Sequence, residues 1–249
     1  MGIFHRQLPA AVETIVIDPR QPRTLYAVTQ GVLRRSLNGG ASWTVARAGL
    51  PPTLDITSSR TQQLVAGRGG TLYYATGSRA GAGQVYRSSD RGDSWQRAGR
   101  GLPAVVPGWA LLALASDVTR AGAVYAATGR GLYLTVDSGR SWSRVLGDPS
   151  TAVATAKLAG RPVVVIASQR RGLVERIGAA GTWKRLPEPP GGLESFALEP
   201  ANAGHIYGAT YTENDPTSSA CATLWATGDS GATWTSAGSA LPLVRKNCS

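Results

Sequence analysis

Ser88-Ser-Asp-Arg-Gly-Asp-Ser-Trp95 is one of five copies of a single phrase. The others are Ser36-Leu-Asn-Gly-Gly-Ala-Ser-Trp43, Thr135-Val-Asp-Ser-Gly-Arg-Ser-Trp142, Arg176-Ile-Gly-Ala-Ala-Gly-Thr-Trp183 and Thr227-Gly-Asp-Ser-Gly-Ala-Thr-Trp234. The shared pattern is Ser/Thr-x-Asp-x-Gly-x-Ser/Thr-Trp. The tryptophans that close the copies stand 52, 47, 41 and 51 residues apart. A period of roughly 40–50 residues is that of one four-stranded propeller blade, and a repeat of this kind dictates architecture before any other reading.

Short β-branched and aromatic runs flank each phrase. Thr24-Leu-Tyr-Ala-Val-Thr29, Thr71-Leu-Tyr-Tyr-Ala-Thr76, Ala123-Val-Tyr-Ala-Ala-Thr128, Val163-Val-Val-Ile-Ala-Ser168 and His205-Ile-Tyr-Gly-Ala-Thr210 read as one strand per unit. A second strand leads directly into each phrase, as in Val32-Leu-Arg-Arg35 and Leu132-Tyr-Leu-Thr135. Apolar runs such as Val12–Asp18 and Leu193–Glu199 lie upstream. Each unit is therefore strand A, strand B, strand C, phrase, strand D. Within the phrase the Asp or Asn can accept backbone N–H groups as Asx turns do. The Gly can take positive φ, and the Trp supplies a large ring to pack beneath the turn. Asn38, Trp43, Asp90, Trp95, Asp137, Trp142, Trp183, Asp229 and Trp234 are thus expected to staple the fold.

These residues resemble the Asp-box, or BNR, repeats of sialidases, sortilin-type receptors, xyloglucan-degrading enzymes and photosystem II assembly factors. The resemblance spans nearly the whole chain and implies an all-β propeller of five four-stranded blades, one domain over residues 1–249. It leaves function open, because such repeats serve enzymes and binding proteins alike. The copy ending at Trp183 has Arg176 and Gly178 where Ser/Thr and Asp are expected, so its blade should be the least regular. Leu50-Pro51, Leu102-Pro103, Leu186-Pro187 and Leu241-Pro242 follow the D strands, and Leu8-Pro9 is an extra N-terminal copy. Five units favour a closed ring over an open or assembled form, which would expose two edges.

The chain of 249 residues carries 26 Lys+Arg against 15 Asp+Glu, a formal charge of +11. Only Lys157, Lys184 and Lys246 are lysines. Two readings stand: an anionic partner, or arginine enrichment on solvated outer strands. No nucleic-acid-binding motif is present, so a glycan or protein partner is expected ahead of nucleic acid. No apolar run reaches the 18 residues of a membrane span. No cofactor motif and no Cys/His metal spacing appear. Cys221 and Cys248 lie outside the repeat core. They either remain free thiols or close a disulfide loop contributing about 3–4 kcal/mol. Asp-box proteins are often exported, so the resemblance favours an exported or extracellular setting. The N-terminus Met1-Gly-Ile-Phe-His-Arg6 has no signal-peptide core.

In propellers of this kind the B–C and D–A loops share the face opposite the box turns. Two units keep short B–C turns, at Gln30-Gly31 and Gly129-Arg130, whereas Gly77–Gln84 and Tyr211–Ala222 are extended. Function concentrates in such loops. The D–A connection Arg100–Trp109 adds a tryptophan outside any box. Arg79, Trp109, Tyr211, Glu213 and Asp215 are the ligand-binding candidates. Glu13 and Glu194 occupy equivalent strand A positions, where paired carboxylates could perform acid/base chemistry or simply line a hydrated channel with arginines such as Arg60. His205 shows no obvious Asp or Ser partner. The sialidases that the repeat resembles require an Arg-Ile-Pro phrase that this chain lacks. Tyr26, Tyr73, Tyr125 and Tyr207 repeat at one strand position and read as structural, which leaves Tyr211 as the catalytic candidate beside Glu13 and Glu194. The leading expectation is a non-enzymatic binding or scaffold propeller; the alternative is a glycoside hydrolase.

Overall fold

A computed structural model describes residues 12–50, 63–76, 84–103, 111–193, 195–212 and 221–237. The fold is an all-β propeller of five four-stranded antiparallel blades. The described residues fall into two compact units, divided between Gly147 and Asp148. No helix occurs among them.

The first unit holds three blades. Blade one comprises β1 (Val12–Asp18), β2 (Gln21–Thr29), β3 (Val32–Ser36) and β4 (Thr44–Val45). Blade two comprises β5 (Gln63–Ala66), β6 (Leu72–Thr76), β7 (Gln84–Ser88) and β8 (Gln96–Arg97). Blade three comprises β9 (Leu111–Ser116), β10 (Val124–Thr128), β11 (Gly131–Thr135) and β12 (Ser143–Leu146). The second unit holds blade four, with β13 (Ser150–Leu158), β14 (Arg161–Ser168), β15 (Gly172–Ile177) and β16 (Lys184–Arg185). Its blade five has β17 (Ser195–Glu199), β18 (Asn202–Thr212), β19 (Cys221–Thr227) and β20 (Thr235–Ser236). Strands pair in sequence order within every blade. This is the order that hairpin connections permit.

Alternation along each B strand sends successive side chains to opposite faces of the blade. Both faces are buried where blades stack, so these strands read as unbroken apolar runs. Tyr26, Val28 and Leu33 of blade one pack with Leu64, Tyr74 and Trp95 of blade two. Tyr73 and Val85 of blade two pack with Leu114, Val124 and Trp142 of blade three. Val163, Val165 and Leu173 of blade four pack with Leu193, Ala203 and Ile206 of blade five. The core is thus a series of layers between blades.

Blade four is as continuously paired as its neighbours, with eight partners between β13 and β14. Its departure from the repeat is confined to the turn. Gly178 takes φ of 73°, its N–H donates to the Pro162 carbonyl, and the Arg176 guanidinium lies 4.9 Å over the Trp183 ring. A cation–π contact stands where the other turns use a hydroxyl with a carboxylate or, in blade one, with the Asn38 amide.

Candidate functional site

The box turns have a closed hydrogen-bond inventory. In blade three, Thr135 Oγ1 donates to Asp137 Oδ1 (2.8 Å) and accepts the Gly139 N–H (2.9 Å). Asp137 Oδ1 accepts the Ser141 N–H (2.9 Å), and Oδ2 accepts its hydroxyl (2.6 Å). Blade five repeats this with Thr227, Asp229, Gly231 and Thr233. Blade two repeats it with Ser88, Asp90, Gly92 and Ser94. In blade one Asn38 Oδ1 fills the role, and Asn38 Nδ2 donates to Ser42 Oγ (2.9 Å). These bonds stabilise the charged carboxylates. Bonds from Thr227 and Thr233 hold Asp229 at about 2. For Asp90 burial pushes upward, and bonds from Ser94 and Ser88 outweigh it, again giving about 2. Asp137 is likewise held well below the carboxylate range, by Ser141 first.

The tryptophans reach further than sequence reasoning anticipated. Rather than lying only beneath their own turns, three of them bond to the preceding blade. Trp95 Nε1 donates to the Ala46 carbonyl (3.0 Å) and Trp142 Nε1 to the Ala98 carbonyl. Trp234 Nε1 donates to the Pro187 carbonyl (3.1 Å). The backbone N–H of Trp95 donates to Ala48 and that of Trp142 to Arg100. The approach is so close that a Cβ on Gly49 would lie 2.2 Å from the Trp95 carbonyl oxygen. In the first unit the preceding blade answers. Arg35 Nη1 donates to the Arg91 carbonyl (2.8 Å) and pairs with Asp93, and Arg87 Nη1 donates to the Ser138 carbonyl (3.3 Å).

The cavity of interest opens on blade five. It measures about 270 Å³ and is lined by His205, Tyr207, Ala226, Thr227, Gly228, Thr233 and Thr235. The A–B hairpin folds Glu199 back beside His205, and Nδ1 lies 2.6 Å from Glu199 Oε2. His205 therefore has the acidic partner that the sequence did not reveal, because β17 and β18 are antiparallel around a two-residue turn. Bonding of Nδ1 to the carboxylate orients the ring and leaves Nε2 for a second partner. Tyr207 projects an exposed ring beside this pair. The arrangement offers an aromatic surface, an oriented imidazole and threonine hydroxyls, groups that suit binding.

Of the sequence candidates, Glu13 is exposed, and its Oε1 accepts the Gly31 N–H (3.1 Å), capping the short B–C turn of blade one. Glu194, Arg79, Trp109, Glu213, Asp215 and Cys248 lie outside the described residues, as does Arg60. Tyr211 pairs with Ala222, and Thr212 with Cys221, across β18 and β19. Trp183 and Trp43 close their turns, Trp43 with its Nε1 donating to the Gly40 carbonyl of its own blade. Trp225 sits on β19 and donates to Thr210 Oγ1 (3.1 Å). Among the described residues no group of three His, Cys, Asp or Glu gathers as a metal site. Nor is any helix there long and apolar enough to cross a membrane.

No family model matches the sequence, and no curated protein matches it. Solved structures do resemble the fold. A GH74 enzyme of Niastella koreensis matches with TM-score 0.62 and 16% identity over 90% of this chain and 38% of its own. YCF48 bound to D1 peptide matches with TM-score 0.57 and 16% identity over 93% of this chain and 70% of its own. The extracellular domain of a B. thetaiotaomicron one-component system matches with TM-score 0.56 and 14% identity over 92% and 28%. The chain thus spans little more than a third of the GH74 enzyme's length. At these identities the likeness concerns the fold.

Proposed function

We propose that this chain is an Asp-box propeller that binds or assembles with a protein or glycan partner of acidic character, using the loop face opposite the box turns. The observation that carries this reading is the fate of the reactive groups. Asp90, Asp137 and Asp229 are held within turns, and Tyr26 and Tyr73 are buried between blades. The repeated chemistry serves rigidity, and a rigid frame presenting variable loops suits recognition. The near-identical bond patterns of four turns support the Asp-box assignment. The YCF48 likeness supports a peptide-type partner, since that protein is bound to D1 peptide and shares 70% of its length with this chain. A net charge of +11 favours acidic sequences.

The test is a titration of immobilised acidic and neutral peptides and acidic glycans, each at low and high salt. Binding is expected for the acidic probes, to weaken with salt, and to fall about tenfold or more in Trp109→Ala or Tyr211→Ala. Equal binding of neutral and acidic probes would overturn it. The competing reading is a glycoside hydrolase working through Glu13 and Glu194, favoured by the GH74 likeness. Release of reducing sugar from a polysaccharide panel, lost in Glu194→Gln, would establish that reading instead.

A further inference from the structure

The turns that join β1 to β2, β5 to β6 and β9 to β10 lie at the same end of the first unit as its boxes. The Gly39 N–H donates to the Arg23 carbonyl (2.7 Å) and the Ser138 N–H to the Gly122 carbonyl (3.0 Å), tying hairpin turn to box turn in blades one and three. The turns also touch from blade to blade. Arg68 Nη1 donates to the Val118 and Thr119 carbonyls (both 3.2 Å), and the Arg20 side chain lies against Gly70. The end is therefore one continuous surface across three blades. It carries an excess of positive charge. Residues 1–147 hold 17 Lys+Arg against 7 Asp+Glu, whereas residues 148–249 hold 9 against 8. Arg20, Arg23, Arg68, Arg91, Arg120 and Arg140 are exposed at this end. Arg68 and Arg91 belong to blade two, which has described neighbours on both sides. Apart from Arg68, none of these guanidinium groups makes a hydrogen bond or ion pair among the described residues. The carboxylates of this end are already engaged. Asp18 and Asp117 are buried and accept N–H groups of their own turns. Asp90 and Asp137 are held in their boxes, and Asp93 pairs with Arg35. Two aliphatic side chains stand in the same turns: Leu37 and Val136, each second in its box, are 59% and 45% exposed.

We infer that this end of the first unit docks on a bilayer surface rich in anionic lipid. Guanidinium groups pair with headgroup phosphates and carboxylates. Exposed aliphatic side chains on turn tips enter the boundary beneath the headgroups, and interfacial binding grows with the apolar area buried there. The two features together select lipid over other polyanions. Among the described residues the exposed large hydrophobics of this unit are all aliphatic, which gives a nucleic-acid base no ring to stack on. An anionic polysaccharide offers no apolar layer for Leu37 and Val136 to enter. The B–C turns of these blades lie at the other ends of the same strands. The surface is thus separate from the loop face, and the inference stands apart from the function proposed for that face.

The experiment is co-sedimentation of the full chain with vesicles of phosphatidylcholine alone, or with about one-third phosphatidylserine, at low and high salt. Binding is expected only to the anionic vesicles and is expected to weaken with salt. Arg23→Gln, Arg91→Gln and Arg140→Gln, combined, should weaken it about tenfold or more. Arg97→Gln, Arg144→Gln and Arg185→Gln, combined, remove the same charge from the outermost strands and should change it by less than about twofold. Leu37→Gln with Val136→Gln should weaken binding about threefold or more while leaving its salt dependence unchanged. All of these sites are exposed, and circular dichroism checks that each variant folds. The first triple variant should still bind the acidic probes of the loop face, so the two readings fail separately. No binding to anionic vesicles overturns the inference. So does an equal loss in both triple variants, which would make net charge the cause. Unchanged binding in the folded Leu37/Val136 variant overturns the lipid assignment in favour of a general polyanion surface.

Discussion

At the scale of single residues, each box aspartate is a carboxylate whose charged form is favoured by hydrogen bonds that the turn holds in place. Its folded value, about 2 for Asp90 and Asp229, lies below the ordinary one near 4. Between these values the unfolded chain binds more protons, so stability rises with pH through that window and is fully present above it. Denaturant melts at pH 6, 4, 3 and 2 should show constancy down to about 4 and a progressive loss toward 2. Asn38 performs the same turn without titrating, so Asp90→Asn and Asp229→Asn should fold and should flatten this acid loss. A steep loss retained in both variants would place the acid sensitivity elsewhere. Gly49 is a second residue-scale case. It combines φ of 86° with the Trp95 carbonyl 2.2 Å from where a Cβ would sit. Gly49→Ala should therefore destabilise by about 1–3 kcal/mol or more, read as a lower denaturation midpoint. Tyr26 is the opposite case. Burial pushes its hydroxyl up to about 12, and among the described residues that oxygen has no hydrogen-bond partner. Tyr26→Phe removes an unsatisfied polar group and should leave stability unchanged or raise it by about 1–3 kcal/mol.

At the scale of elements, the outermost strands β4, β8, β16 and β20 are two residues each, a length that blunts edge pairing. Blade four also carries a cross-strand pair, Glu175 opposite Lys184. Glu175 is buried, which pushes its carboxyl above the ordinary 4.5, and Lys184 opposes this. The folded chain then binds the proton more tightly, so this group makes stability fall as pH rises above the ordinary Glu value. Glu175→Gln should remove that fall, giving a smaller stability difference between pH 5 and 7 than the parent chain shows. An unchanged difference would mean that Lys184 cancels the burial. Strands and turns were legible in the sequence because their signals are local: alternation, β-branching and the Asp-x-Gly geometry. The joints between blades were not, because Trp95 finds the Ala46 carbonyl 49 residues away. The Glu199–His205 pair is not legible for a related reason: Pro200 marks the hairpin turn, but which side chains across it come within reach depends on the pairing register of β17 and β18. The proposed loop site rests on residues 77–83, 104–110 and 213–220, where repeat periodicity stops and leaves no pattern to extend.

At the scale of the whole molecule, the proposed function gives the exposed arginines a role that can be separated from that of the loops. Arg97, Arg144 and Arg185 each stand two residues after a box tryptophan and are exposed on the outermost strands of blades two, three and four. They form a repeated basic position on the outer edges, separate in sequence from the loop candidates Arg79, Trp109 and Tyr211. Each exposed charge acts over about 8–10 Å at ordinary ionic strength and about 3 Å in molar salt. Under the proposed function, outer arginines would raise the rate of encounter with an acidic partner, while contacts at the loop face would set how long it stays. Replacing all three with Gln lowers the net charge from +11 without touching the loops. The expected result is a slower association rate, a weaker dependence of that rate on salt, and a dissociation rate that is unchanged. Trp109→Ala should do the reverse, raising the dissociation rate with little effect on association. Surface plasmon resonance against one acidic peptide, at three salt concentrations, separates the two. A large rise in the dissociation rate of the triple-Gln variant would place the partner on the outer strands and remove the loop face from the mechanism.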